Sequence, residues 1–265
     1  MDPNRCLEGR VAIVTGAGQG MGRAFAETLA RAGARIAVVE VVEDRGTVAT
    51  DELRSAGYEA INYPLDVRDR IAVQRMVDDL VARYGRIDIL VNCAGIFAGG
   101  PSEDVTPEEW DRVLGINLTA VFSCSQAVAR VMIPQGSGSI INIGSLTAMG
   151  GWAKRACYGT TKAAVVALTQ ILGVEWIKYG IRVNAINPGQ IETPFNEAAF
   201  KAGLGDREVF TNRAPMRRFG TPEEVADAVL FLASDDASNV NAQSLTVDGG
   251  WMAWGSLAAG DPLGL

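Results

Sequence analysis

Tyr158 and Lys162 stand four apart in the stretch CYGTTKAAVV (157–166), with only small residues between them. On a helix this spacing puts a phenol and an ammonium one turn apart on the same face. A free tyrosine, with a pKa of about 10, is a poor base near neutrality. A fixed ammonium and a second positive charge would stabilise the phenolate and lower that value. A plain helix carrying an aromatic and a snorkelling lysine would look the same. Two upstream polar residues bear on the choice. Ser145 ends the apolar run SIINIGS, 13 residues before Tyr158, and its hydroxyl could donate to a substrate carbonyl oxygen that Tyr158 also reaches. Asn117 sets an amide inside the apolar run VLGINLTAVF, where local bonding to the backbone is the plainer reading. None of the 265 residues is histidine. Ser-His-Asp hydrolysis, His-ligated zinc and imidazole acid–base chemistry are thereby excluded, and no metal site is expected.

A second cluster lies near the start of the chain. VAIVTGAGQGMGRAFAETLARAGARIAVVEVVED reads as strand, glycine-rich turn, helix, strand. Gly16, Gly20 and Gly22 would let backbone approach a pyrophosphate and point helix N-terminal amides at it. Glu40 ends the second strand, 24 residues after Gly16. An acid there accepts hydrogen bonds from the adenosine ribose hydroxyls and repels a 2′-phosphate. Val41 and Val42 follow it, and Gln19 occupies the turn where a phosphate-binding cation would sit. The pattern favours NAD over NADP.

These groups need a scaffold to bring them together. Seven apolar runs rich in β-branched residues are strand candidates: 10–16, 35–41, 59–66, 87–95, 138–145, 181–189 and 243–250. Their near-continuous hydrophobicity suits a parallel sheet buried on both faces. Helical stretches lie between them, at about 20–33, 43–57, 68–84, 107–133, 153–179 and 222–233. This rhythm predicts an α/β doubly wound parallel sheet with helices on both faces, as one domain over 1–265. Ligands of such sheets bind beyond the carboxyl ends of the strands, where Ser145 stands. Segment 190–220 breaks the rhythm and is read as a substrate-binding loop or lid. The tail 251–265 carries two tryptophans, which would pack on a neighbouring subunit or cover the chain's own fold.

The net charge of −7 argues against nucleic acid or an anionic membrane as partner. Four scattered cysteines read as reduced thiols in a cytoplasmic protein. The N-terminus has no apolar segment of the kind a signal peptide needs. No apolar run is expected to reach the roughly 18 residues of a membrane span.

Taken together, TGAGQGMG (15–22), NCAG (92–95), Asn117, Ser145, YGTTK (158–162) and NPGQIET (187–193) resemble the short-chain dehydrogenase/reductase family, in its branch of roughly 250 residues. The resemblance runs in order from about residue 8 to 250. It implies a seven-stranded Rossmann fold and hydride transfer between C4 of a nicotinamide and an alcohol or carbonyl carbon. By that resemblance Tyr158 is the general acid/base and Ser145 orients the substrate oxygen. Lys162 binds the nicotinamide ribose and lowers the tyrosine pKa, while Asn117 holds a water in a proton relay. Gly16, Gln19, Gly20, Met21, Gly22 and Glu40 would hold the pyrophosphate and adenosine ribose. Asp66 and Val67 would meet the adenine, with Asn92, Ala94 and Gly95 along the adenosine side. Pro188, Gly189, Ile191 and Thr193 would hold the carboxamide. Enzymes of this kind are usually homotetramers.

Two positions depart from the family pattern: Cys93 stands where a second Asn is common, and Glu40 replaces the more frequent Asp. Cys157 reads as a small buried residue. The expected substrate is a small polyol, sugar or hydroxy-ketone, met by Ser145, Thr147, Trp152, Tyr158 and Gln190 in a wall of mixed polarity. Oxidation would run on a tyrosine brought near neutrality. The alternative is an NADPH-dependent 3-oxoacyl-acyl-carrier-protein reductase, kept open by Arg155, Arg213, Arg217 and Arg218. A catalytically silent dinucleotide-binding scaffold would be signalled by loss of Asn117, Ser145, Tyr158 or Lys162, and all four are present.

Overall fold

The computed structural model describes residues 6–201 and 203–254. Seven strands form one sheet: β1 (Val11–Thr15), β2 (Arg35–Glu40), β3 (Ala60–Pro64), β4 (Ile89–Asn92), β5 (Gly138–Ile143), β6 (Ile181–Pro188) and β7 (Ser244–Val247). Every pairing is parallel, in the order β3-β2-β1-β4-β5-β6-β7. The chain steps outward from β1 to β3, then returns to the other side of β1 at β4. That reversal opens a crevice beyond the strand ends, where sheets of this kind take ligands.

The helices are α1 (Gly20–Arg31), α2 (Glu43–Ser55), α3 (Arg70–Tyr84), α4 (Pro107–Leu114), α5 (Ala120–Gln135), α6 (Ala156–Trp176), α7 (Pro194–Lys201), α8 (Arg207–Arg213) and α9 (Pro222–Ala233). Alternate strand residues serve the two faces of the sheet. Ala12, Val14, Ile36, Val38, Ile89, Val91, Ile141 and Ile143 pack with residues of α1, α2 and α9. Val11, Ile13, Ala37, Val39, Leu90 and Ile140 pack with residues of α3, α5 and α6. Both faces are apolar, so the strands read as continuous hydrophobic runs. Each fully buried Ile or Leu contributes about 1.5–3 kcal/mol relative to exposure.

Two local features differ from a simple alternation. Between α4 and α5 the helix continues through one π-turn, Gly115–Thr119, so Pro107–Gln135 is a single rod. By length and composition this rod could cross a membrane, contrary to the expectation from the apolar runs; just over half of its apolar window, 56%, is buried within the protein. Segment 190–220 is not a plain loop, because it folds into α7 and α8. Asn196 Nδ2 donates to the Ile191 carbonyl at 2.7 Å, and Gly220 N to the Gln190 carbonyl at 2.9 Å, closing the segment at its base. Trp251, in the tail, packs on Leu146 and Ala214 of its own chain; residues 255–265 lie outside the described residues.

Candidate active site

The glycine turn hangs on β2, with Gly16 N and Ala17 N donating to the Val39 carbonyl at 2.8 and 3.2 Å. Gly16 has φ +68°, and a Cβ there would stand 2.9 Å from Ala94 Cα. A Cβ on Gly22 would run into the Gly16 carbonyl. The turn is thus folded back on the start of α1, whose N-terminus receives no side-chain cap from Gln19. Its first amides remain directed at the crevice. Glu40 is buried across from this turn. Its Oε2 accepts from Gly18 N at 3.2 Å and its Oε1 from Val42 N at 3.1 Å, which fixes the carboxylate at the adenosine end.

One cavity of about 430 Å³ runs from this turn to the Tyr158 region. Gly16, Gln19, Gly20, Met21, Gly22, Glu40, Asp66, Val67, Ala94, Gly95, Pro188, Gly189, Ile191 and Thr193 line it, as do Ser145, Thr147, Trp152, Tyr158, Lys162 and Gln190. The uncapped helix start, the glycine cradle and the fixed carboxylate fit a dinucleotide. Asp66 is partly engaged already: Arg68 clamps it through Nε and Nη2 at 2.9 and 2.5 Å and holds its carboxyl below the usual range.

Two expected residues lie elsewhere. Asn92 does not line the cavity. Its Nδ2 donates to Asn142 Oδ1 at 2.8 Å and Ser125 Oγ at 3.0 Å, and Asn142 in turn donates to Thr169 at 2.9 Å. A buried amide must be satisfied, and here the sheet interior satisfies it, so the Asn92 side chain is taken up in the core. Asn117 is fully buried behind the wall. Its bonds are not local: Oδ1 accepts from Ile96 N and Nδ2 donates to the Ile96 carbonyl, both at 2.9 Å. The π-turn aims this amide at the chain leaving β4. Asn117 therefore holds the wall segment Gly95–Ile96 in place.

Near the opposite end, Lys162 Nζ donates to the Ile143 carbonyl at 2.8 Å and lies 5.6 Å from the Tyr158 ring centre. Thr161 Oγ1 donates to the Tyr158 carbonyl at 2.8 Å and meets Asn117 Nδ2 at 3.4 Å, linking α6 to the π-turn. Ser145 caps the short turn that follows β5, with its Oγ accepting from Thr147 N at 3.2 Å. Its own N–H donates to Asn187 Oδ1 at 3.2 Å.

The chain's own groups do not by themselves lower the tyrosine pKa. Burial pushes the Tyr158 phenol up to about 12, against the opposing pull of a hydrogen bond from Ser145 and the charge of Arg155. Burial also brings Lys162 down to about 8. Desolvation is the largest influence on both groups. Cys93 is half-buried beside this pair, and desolvation pushes its thiol to about 12; Cys157 is buried, as expected.

The wall around Tyr158 is also less polar than expected. Ile96, Phe97, Leu146, Phe195, Phe200 and Phe210 line the cavity there. Only the run IFAGG after NCAG, Trp152 and the recurring phenylalanines of 195–210 hint at this in the sequence.

Residues 16–252 match the family model described as enoyl-(acyl carrier protein) reductase. The 2,3-dihydro-2,3-dihydroxybenzoate dehydrogenase of Bacillus subtilis is 37% identical over 251 residues, covering 92% of this chain and 96% of that one. The 3-oxoacyl-(acyl-carrier-protein) reductase FabG of Thermotoga maritima is 38% identical over 244 residues, covering 92% and 98%. A crystal structure from Beutenbergia cavernae, described as a candidate NAD(P)-dependent gluconate 5-dehydrogenase with NADP at low occupancy, matches with TM-score 0.88 and 40% identity, covering 94% and 98%. With likeness at this level over almost the whole of both chains, the chain belongs to the short-chain dehydrogenase/reductase family of oxidoreductases.

Proposed function

We propose that the chain is an NAD-dependent dehydrogenase that moves a hydride between C4 of the nicotinamide and the reacting carbon of a secondary alcohol or ketone. The observation that carries this reading is one continuous crevice with the glycine turn and Glu40 at one end and Ser145, Tyr158 and Lys162 at the other. When bound, the oxidised nicotinamide supplies a hydride acceptor and a positive charge beside the phenol. Tyr158 Oη takes the hydroxyl proton during oxidation and returns it during reduction. Ser145 Oγ holds the same substrate oxygen. Lys162 holds ribose hydroxyls and carries protons between the phenol and solvent, while Asn117 fixes the wall segment that faces them. Glu40 supports NAD, because a 2′-phosphate would meet a buried carboxylate.

The substrate is a small hydroxylated molecule in this reading, supported by Thr147 and Gln190 on the wall and by the sugar-acid and cyclic-diol names of the relatives. The four cysteines, all unpaired, are consistent with a reducing cytoplasm. The exposed row Ile171, Val174 and Ile177 at the end of α6 and just beyond it offers an apolar face for a homotetramer. A second reading, an NADPH-dependent 3-oxoacyl-carrier-protein reductase, is favoured by the 38% identical relative of that name.

Turnover followed by NADH absorbance across a panel of secondary alcohols tests the proposal. Tyr158→Phe should lower kcat by about 10²–10⁴-fold, the usual contribution of a placed acid/base, with NAD binding retained. Undiminished turnover in that variant would refute the mechanism, and a clear preference for NADPH would favour the second reading.

A further inference from the structure

The substrate half of the crevice is built from rings. Phe97 and Phe195 lie 5.3 and 6.1 Å from the Tyr158 ring, centre to centre, and 5.9 Å from each other. Behind them Trp152 stacks on Phe210 at 6.4 Å and on Trp251 at 5.8 Å. Linear polyols would leave hydroxyls unpaired against such a wall, at a cost for each one. A compact ring would bury its faces there.

A cation enters this wall beside Tyr158. Arg155 is half-buried, with its guanidinium carbon 4.5 Å over the centre of Phe97. Its Nη2 donates to the Leu204 carbonyl at 2.5 Å, and its Nη1 reaches the Lys154 carbonyl at 3.4 Å. No ion pair joins it to a carboxylate among the described residues. A guanidinium has five donors in a planar fork that matches a carboxylate, so part of its capacity is unused. Thr147 Oγ1 is also buried, with no hydrogen-bond partner.

We propose that the substrate is a secondary alcohol or ketone on a compact apolar ring that also bears a carboxylate, the ring lying among Phe97, Phe195, Trp152 and Phe210 and the carboxylate pairing with Arg155. This rests on the reading of the chain as an NAD-dependent dehydrogenase. Phe97 sets the scale, because the same phenyl ring touches both Tyr158 and Arg155. The reacting oxygen and the carboxylate therefore sit on well-separated carbons of one ring. Thr147 offers a hydrogen bond to a second oxygen of the substrate. In oxidation the carbinol C–H bond breaks with its electron pair passing to NAD, the hydroxyl proton passes to the Tyr158 phenolate, whose own proton has left through Lys162 to solvent, and the carbon–oxygen double bond forms. The carboxylate is unchanged.

The test compares kcat/KM with NAD for 3-hydroxycyclohexanecarboxylate, cyclohexanol and glycerol in the native protein, Arg155→Gln and Arg155→Lys. The acid should exceed cyclohexanol by tenfold or more, as a charge-assisted pair shielded from water provides, and cyclohexanol should exceed glycerol. Arg155→Gln should bring the acid-to-cyclohexanol ratio close to one, and Arg155→Lys should recover part of it. Calorimetric binding of cyclohexanecarboxylate and cyclohexanol to the NAD complex of Tyr158→Phe reads the same preference without turnover. A ratio that survives Arg155→Gln would make Arg155 only a latch on Leu204 and would overturn the proposal, as would a native preference for cyclohexanol or glycerol. Preferential binding of the acid without turnover of any alcohol would support the site while sinking the dehydrogenase reading. Turnover of alcohols with no preference for the acid would do the reverse.

Discussion

Lys162 is an ammonium-bearing side chain held inside the protein, 5% exposed, with one hydrogen bond among the described residues, to the Ile143 carbonyl. Replacing it with Met should therefore inactivate the enzyme and stabilise the fold at neutral pH. The buried lysine titrates at about 8 rather than 10.5. At 1.36 kcal/mol per pKa unit, holding the proton in the fold costs roughly 3 kcal/mol below pH 8. Methionine fills the same space without that cost but leaves the Ile143 carbonyl unmatched, a loss of about 1 kcal/mol. The net gain is roughly 2 kcal/mol at pH 7, or about 4–8 °C in Tm for a chain of this size. The dependence on pH has a definite sign. Between pH 8 and 10.5 the unfolded chain holds the proton that the folded chain has released, so native stability rises with pH across that window. Lys162→Met lacks this rise, and its advantage should shrink and turn to a deficit of about 1 kcal/mol by pH 10.5. Paired thermal melts of the two proteins at pH 7, 9 and 10.5 measure the difference, in which the other titrating groups cancel. A variant no more stable at pH 7, or one whose advantage is the same at pH 10.5, would refute the reasoning.

Two further outcomes are expected. Glu40→Ala should remove the charge facing a 2′-phosphate and shift the NAD-to-NADP ratio of calorimetric Kd values at least tenfold toward NADP; an unchanged ratio would show that another group sets the preference. Asn117→Ala should cost about 1–3 kcal/mol by denaturant unfolding, because it orphans both backbone groups of the half-buried Ile96. It should also lower kcat more than it raises the Kd for NAD, and equal losses in both would point to a purely structural role.

The strands were legible because a sheet covered on both faces leaves apolar runs with little polar interruption, as in Val11–Val14 and Ile89–Val91. The glycine turn was legible because close backbone approach permits almost no other residue at Gly16 and Gly22. Other features depend on tertiary neighbours. Asn92 belongs to a familiar motif, yet its side chain is claimed by Ser125 and Asn142, which are far away in sequence. The aromatic wall gathers residues 97, 152, 195 and 210 from separate segments, so no local pattern announces it. Helices α7 and α8 are short and bury no residue fully, which leaves them without a strong apolar period. The high pKa of Tyr158 follows from burial, a property of the folded surroundings rather than of the four-residue spacing.

The π-turn at Gly115–Thr119 has a consequence for chain length. A π-turn spends one residue more than an α-turn, so it works as an angular offset of about 100° built into a stiff rod. Before the offset, Val113 and Trp110 face the small patch of Ala98 and Cys157. After it, Ala120, Cys124 and Val128 face the main sheet. One helix thereby serves two walls that are not in line. Losing a single residue between 115 and 119 would leave the helix unbroken yet rotate its far half out of phase, a frameshift in three dimensions. Here the number of residues is constrained as tightly as the identity of Asn117.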